Sequence, residues 1–167
     1  MKELMMSTPF SKISVSDICE LCGMHRKSFY YHFRDKYDLV NWIFYHDFVE
    51  IAVKNQPASF TALYCGLSKY FYENRVFYKN ALSVGGQNSF GDYYKELFEA
   101  AIKAYFEDKL PEGESLNLVA QYYSEVSLIS LSKWLKSNSC LPPDEYMDLM
   151  RSAIKSMLKI APKLDDE

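Results

Sequence analysis

The chain has 167 residues, 49% apolar and 25% charged, with only six glycines and six prolines. That suits one good core, or a core plus a small appended module, built of long helices rather than a turn-rich β fold. No apolar run approaches the ~20 residues of a membrane span, and no signal peptide is visible at Met1, so a cytoplasmic chain with no membrane partner is expected. The net charge of −3 excludes a generic polyanion binder; any affinity for nucleic acid has to come from locally placed cations. Residues 1–46 hold six Lys/Arg against five Asp/Glu, and all three histidines, whereas residues 47–167 hold 13 against 17. The mild basic bias therefore lies at the N-terminal end.

Met1 to Ser7 fits only the end of a helix, broken by Thr8-Pro9-Phe10. Ser14 caps the next helix, and Asp17 three residues on completes a capping-box-like pair. Val15, Ile18, Cys19 and Cys22 form its buried face, and Gly23 ends it in a left-handed turn. A short helix follows from about Arg26 to His32, with Phe29 and Phe33 inward, Tyr30 beside them, and Arg26, Lys27 and Ser28 outward at its start. Two short helices joined by a glycine turn, the second opening on cations, have the layout of a helix-turn-helix. Asp35-Lys36 opens a longer helix to about Val53, closed by Gln56-Pro57. Further helices are expected over 58–73, 76–85, 90–108, 115–137 and 143–160, with breaks at Asn74-Arg75, Gly85-Gly86, Pro111-Glu112-Gly113 and Pro142-Pro143 and a frayed tail from Lys163 to Glu167.

The last two helices are apolar on more than one face. Between Leu116 and Ser132 the only charge is Glu125. The final helix carries a wide stripe that includes Met150, Ala153, Ile154, Met157 and Leu158. Such helices need cover on more than one side. A second copy of the chain is the simplest cover, giving a four-helix homodimer interface with Val119, Tyr123, Val126, Leu131, Trp134, Met150, Ile154 and Met157 on it. The bland alternative is one central helix in a monomer.

The pieces Ile13-Ser-Val-Ser-Asp-Ile18, Cys22-Gly-Met24, Ser28-Phe-Tyr-Tyr-His-Phe33 and Asp35-Lys-Tyr-Asp-Leu39 together resemble the TetR family of bacterial transcriptional regulators over about residues 7–48. Phe29-Tyr-Tyr-His-Phe33 followed by Asp38-Leu-Val-Asn-Trp-Ile-Phe44 is also similar to the subgroup containing the dihydroxyacetone-kinase operon activator. The resemblance implies an all-α fold. A three-helix DNA-binding module at 1–46 would precede a helical body for effector binding and dimerisation at 47–167. It further implies a dimeric regulator on a palindromic double-stranded operator, controlled by a small effector in the body. Two departures stand out. The first helix is short, so phosphate contacts from that end are expected to be missing or the natural start to lie earlier. His25 replaces the usual Ser, Thr or Asn cap of the recognition helix.

By the same resemblance Arg26 and Lys27 fall where base edges are read, and the chemistry agrees, since both can donate to O6 and N7 of guanine. Ser28, Tyr30, Tyr31, His32 and Lys36 are candidate contacts to phosphate, sugar or thymine methyl groups. Ser14 and Ser16 are candidates for a phosphate at the preceding helix start. For Tyr30, core packing competes with contact.

Other signals mislead. Cys19-Glu-Leu-Cys22 with His25 lacks a fourth metal ligand and a second pair, so small buried residues are the better reading and reduced thiols are expected. No catalytic constellation and no cofactor motif is visible, and an enzyme is not expected. The aromatics Tyr64, Tyr70, Phe71, Phe77, Tyr78, Phe90, Tyr93, Tyr94, Phe98, Tyr105, Phe106, Tyr122 and Tyr123 either line an effector cavity or fill a core. If they close the space completely, the signal has to arrive through a partner protein, making the chain a coactivator. A helical small-molecule-binding protein without useful DNA contact is the remaining alternative.

Overall fold

Five helix starts are fixed by side-chain caps. Ser14, Asp35, Ser59, Ser89 and Ser115 each accept an amide from the first turn that follows them, satisfying donors that the helix itself leaves unpaired. The structure, a computed structural model, describes residues 1–86, 88–109 and 115–160. In chain order the helices are α1 (Lys2–Ser7), α2 (Val15–Cys22), α3 (Arg26–His32), α4 (Lys36–Phe44), α5 (Glu50–Asn55), α6 (Phe60–Glu73), α7 (Arg75–Ala81), α8 (Phe90–Phe106), α9 (Leu116–Lys136) and α10 (Pro143–Ile160). No strand occurs among the described residues. The break expected at Pro111–Gly113, the tail from Lys163 to Glu167 and the side chain of Leu158 lie outside them.

A 3₁₀ turn at Phe10–Lys12 joins α1 to α2. The single helix expected from Asp35 to Val53 is continuous in space but not in pitch. Between α4 and α5 it widens into a π turn at Tyr45–Val49, where the Glu50 amide reaches back to the Tyr45 carbonyl. The division expected at residue 46 falls inside this turn. Gln56, at φ 44°, ends α5 in a left-handed conformation.

One core runs through head and body. Phe10, Ile13, Ile18, Phe29 and Val40 fill the head. Phe44 then meets the rings of Phe71 at 5.5 Å and Phe90 at 5.3 Å, and Phe71 meets Tyr78 at 4.8 Å. In the body α8 pairs along α9, α6 packs on α10, and α7 contacts both α9 and α1. Arg75 ties down the end of α9 by donating to the Leu135 carbonyl at 3.0 Å and to that of Ser137.

Three expectations about burial need correction. Cys22 is exposed, although Cys19 beside it is buried; α2 is a single-sided helix and Cys22 lies past the edge of its inner face. Leu131 and Trp134, expected at a dimer interface, are only 3% and 6% exposed within the single chain. Trp134 stacks on Tyr146 of α10 at 4.1 Å and donates its indole N–H to the Leu141 carbonyl at 2.9 Å. The face of α9 that carries Leu131, Trp134 and Leu135 is thus covered by its own neighbours and needs no second copy.

Candidate nucleic-acid interface

The turn between α2 and α3 is built from three local devices. Ser14 and Asp17 form a reciprocal capping box at the start of α2. Gly23 adopts φ 63°, and its amide and that of Met24 return to the Cys19 and Glu20 carbonyls. The helix α3 then begins at His25, whose side chain makes no capping bond. Its amides therefore depend on backbone and solvent, as the imidazole departure implies.

Phe29 is buried and holds α3 down, in ring contact with Phe33 at 5.5 Å. Phe33 is half-buried and leans on Trp42 of α4 at 5.7 Å. Arg26, Lys27, Ser28, Tyr30, Tyr31 and His32 are all exposed. Tyr31 is 85% exposed and Tyr30 50%, with the Arg26 guanidinium 6.0 Å from the Tyr30 ring. Among the described residues Arg26 and Lys27 make no ion pair with the protein. The outer surface of α3 is therefore cationic and aromatic, with donors free to face a partner.

Two candidates belong elsewhere. Lys36 is turned inward. Its ammonium donates to the carbonyls of Ile13 at 2.7 Å, Phe10 at 2.8 Å and Ser11 at 3.3 Å, and lies 4.8 Å from the Phe10 ring. It adds a second bond to the Phe10 carbonyl, which already accepts the Ile13 amide, and burial lowers its pKa from the ordinary lysine value. A phosphate contact would require breaking these bonds. Ser14 is likewise spent, because its hydroxyl donates to the Asp17 carboxylate at 2.8 Å and accepts the Asp17 amide at 3.2 Å. Ser16, half-buried one step further, keeps its place at the start of α2.

The head is bolted to the body by side chains the sequence reading missed. Asn80 of α7 accepts the Phe10 amide at 2.8 Å and donates to the Thr8 and Met5 carbonyls at 2.9 and 3.2 Å. Lys2 of α1 binds Asp47 in the π turn at 2.6 Å and Asn74 at 3.0 Å. Asn80 sits with Lys79 between Val76-Phe77-Tyr78 and Ala81, and nothing in that pattern sets it apart.

Behind this junction α4, the π turn, α5, α6 and α8 enclose a cavity of about 660 Å³. Of the candidate aromatics, Tyr64, Tyr94, Phe98 and Tyr105 line it. Phe71, Phe77, Tyr78 and Phe90 are buried core instead, while Tyr122 and Tyr123 lie exposed on α9. Among the expected dimer residues, Tyr123, Val126, Ile154 and Met157 are exposed, and Val119 and Met150 are half-buried. Cys19 and Cys22 are free thiols, and the described residues hold no cluster of metal-ligating side chains.

Residues 2–43 match the model for bacterial regulatory proteins of the tetR family, and residues 58–156 match the model for a transcriptional regulator C-terminal region. The HTH-type dhaKLM operon transcriptional activator DhaS of Lactococcus lactis subsp. lactis (strain IL1403) is 35% identical over 85 residues. That match covers 47% of this chain and spans 42% of the relative's length. The solved structure of the dihydroxyacetone kinase operon activator DhaS superposes with a TM-score of 0.65, covering 95% of this chain and 92% of that one at 22% identity, which marks a shared fold.

Proposed function

Since the chain belongs to the TetR family of bacterial regulatory proteins and is a regulator of transcription, we propose that it reads a palindromic operator as a homodimer, with a small molecule in the body setting its DNA affinity. The observation that carries the DNA-reading part is the outward face of α3, where Arg26 and Lys27 stand exposed and, among the described residues, without ion-pair partners. Arg26 and Lys27 read base edges. Ser16, Ser28, Tyr30, Tyr31 and His32 hold the backbone of the duplex and fix the register.

Dimerisation is supported by α10. From Arg151 to Met157 every residue is exposed, including Ile154 at 50% and Met157 at 60%. On α9, Leu118, Tyr122, Val126 and Ile129 expose a second apolar row at helical spacing. A self-complementary face of this kind suits a twofold pair, which would set the two α3 helices about one DNA turn, ~34–36 Å, or a multiple of it apart. The open cavity favours a small effector over a partner protein as the signal. The curated relative is an operon activator, so activation is the sense to test first, in the cytoplasm where the DNA lies.

Footprinting on the DNA upstream of the chain's own gene tests the reading. Two protected half-sites are expected. Arg26→Ala should cost about 1–3 kcal/mol on that site while leaving binding to unrelated DNA nearly unchanged. An Arg26→Ala protein that footprints at the parent's concentration removes the assignment. Ile154→Asp should halve the mass seen by sedimentation; a parent that already sediments as a single chain removes the dimer.

A further inference from the structure

We infer that the cavity behind the head takes an uncharged, predominantly apolar ligand; this rests on the effector reading above and goes beyond it in naming the chemistry. The hollow exists because small side chains stand where the rest of the core carries rings. Ala52 of α5 and Ala100, Ala101 and Ala104 of α8 line it beside Phe44, which closes one side by packing against Phe71 and Phe90. Its volume of about 660 Å³ lies within the ~300–1,000 Å³ of small-molecule sites.

The wall decides the ligand's charge. No Asp, Glu, Lys, Arg or His lines the cavity among the described residues. An ion entering would lose hydration with no counter-charge to replace it. The few wall hydroxyls are already engaged. Tyr94 and Tyr64 both meet Ser127, at 2.6 and 3.3 Å, and Tyr105 donates to the Pro57 carbonyl at 2.7 Å. Apart from the exposed Gln56 amide, the surface left to the ligand is methyl groups and ring faces, which reward buried hydrocarbon and leave little for a strongly polar molecule. Phe48 and Val49 of the π turn are part of the same wall, so a ligand seated here touches the helix that carries the reading head.

Two probes with one ring skeleton isolate the charge. N-phenyl-1-naphthylamine is neutral, and 8-anilino-1-naphthalenesulfonate adds one sulfonate to it. In fluorescence titrations of the full chain, the neutral probe should bind at least about tenfold more tightly. Ala101→Phe, which fills the cavity, should weaken the neutral probe by at least about tenfold at an unchanged melting temperature; Ala104→Leu serves as a second filling variant. Equal or tighter binding of the sulfonate, no binding of the neutral probe, or full binding by both filled variants overturns the inference. Operator affinity measured with saturating neutral probe separates the two readings. Cavity binding without any change on DNA supports the ligand class and sinks effector control. Sulfonate-preferring release from DNA does the reverse.

Discussion

Lys36→Met separates two opposed roles for one cation. In the structure the ammonium closes the 3₁₀ turn through bonds to the Phe10 and Ile13 carbonyls at 2.8 and 2.7 Å, with a longer exposed contact to Ser11. A hydrogen bond to a charged group contributes about 1.5–3 kcal/mol, so the two short ones represent roughly 3–6 kcal/mol. Methionine keeps the aliphatic stem packed, and the freed carbonyls lie near enough to the surface to regain water. Halving the figure for that rehydration leaves about 1.5–3 kcal/mol. For a chain of this size 1 kcal/mol shifts the melting temperature by about 2–4 °C, so a fall of roughly 3–12 °C is expected by calorimetry. The slope of log affinity against log salt on DNA should stay at the parent's value, because no phosphate contact is lost. A phosphate-binding lysine behaves in the opposite way, with an unchanged melting temperature and a salt slope smaller by about one. That outcome would falsify the inward assignment.

Two further predictions use the same approach. Asn80→Ala removes three bonds between α7 and the α1–α2 connection and should cost about 2–3 kcal/mol; hydrogen exchange at the Phe10 amide should quicken, and an unaltered exchange rate there would deny Asn80 its role as the bolt. Asp17 titrates below the ordinary value of 3.8, chiefly because its carboxylate accepts the Ser14 amide and then the Ser14 hydroxyl. With the folded pKa depressed, the stabilisation is present above the ordinary carboxylate range and disappears as pH falls through the folded value. Ser14→Ala, which keeps the amide but not the hydroxyl, should raise the Asp17 midpoint seen by NMR; no movement would mean the capping box is not formed in solution.

Most of the helical plan was legible because it is written in local chemistry. Breaks at Gly85-Gly86, Pro111-Glu112-Gly113 and Pro142-Pro143 separate the expected helices at 90–108, 115–137 and 143–160, and the observed elements at 90–106, 116–136 and 143–160 begin within a residue of them. Ser14, Asp17 and Gly23 likewise delimit α2 through bonds that span only a few residues. What stayed hidden depends on partners distant in sequence. The carbonyls that claim Lys36 lie 23–26 residues before it. Periodicity shows α9 apolar on more than one face, but it cannot tell a face covered by Tyr146 of the same chain from one left exposed, so Leu131 and Trp134 were grouped with Val126. The π turn has no compositional mark in Tyr45-His-Asp-Phe-Val49.

That turn has a consequence for how the molecule tolerates changes in length. A π turn accommodates one residue more than the α-helical path would need. Deleting a single residue between Tyr45 and Val49 would let the segment relax into uninterrupted α-helix while Val40 and Phe44 keep facing the rings they now meet. Deleting one from the regular turns of α4 or α5 would instead rotate everything ahead of it by about 100° around the axis and carry α3 round with it. The connecting rod thus holds one spare residue at a known place, and the angular setting of the head tolerates a loss there but not in the turns on either side.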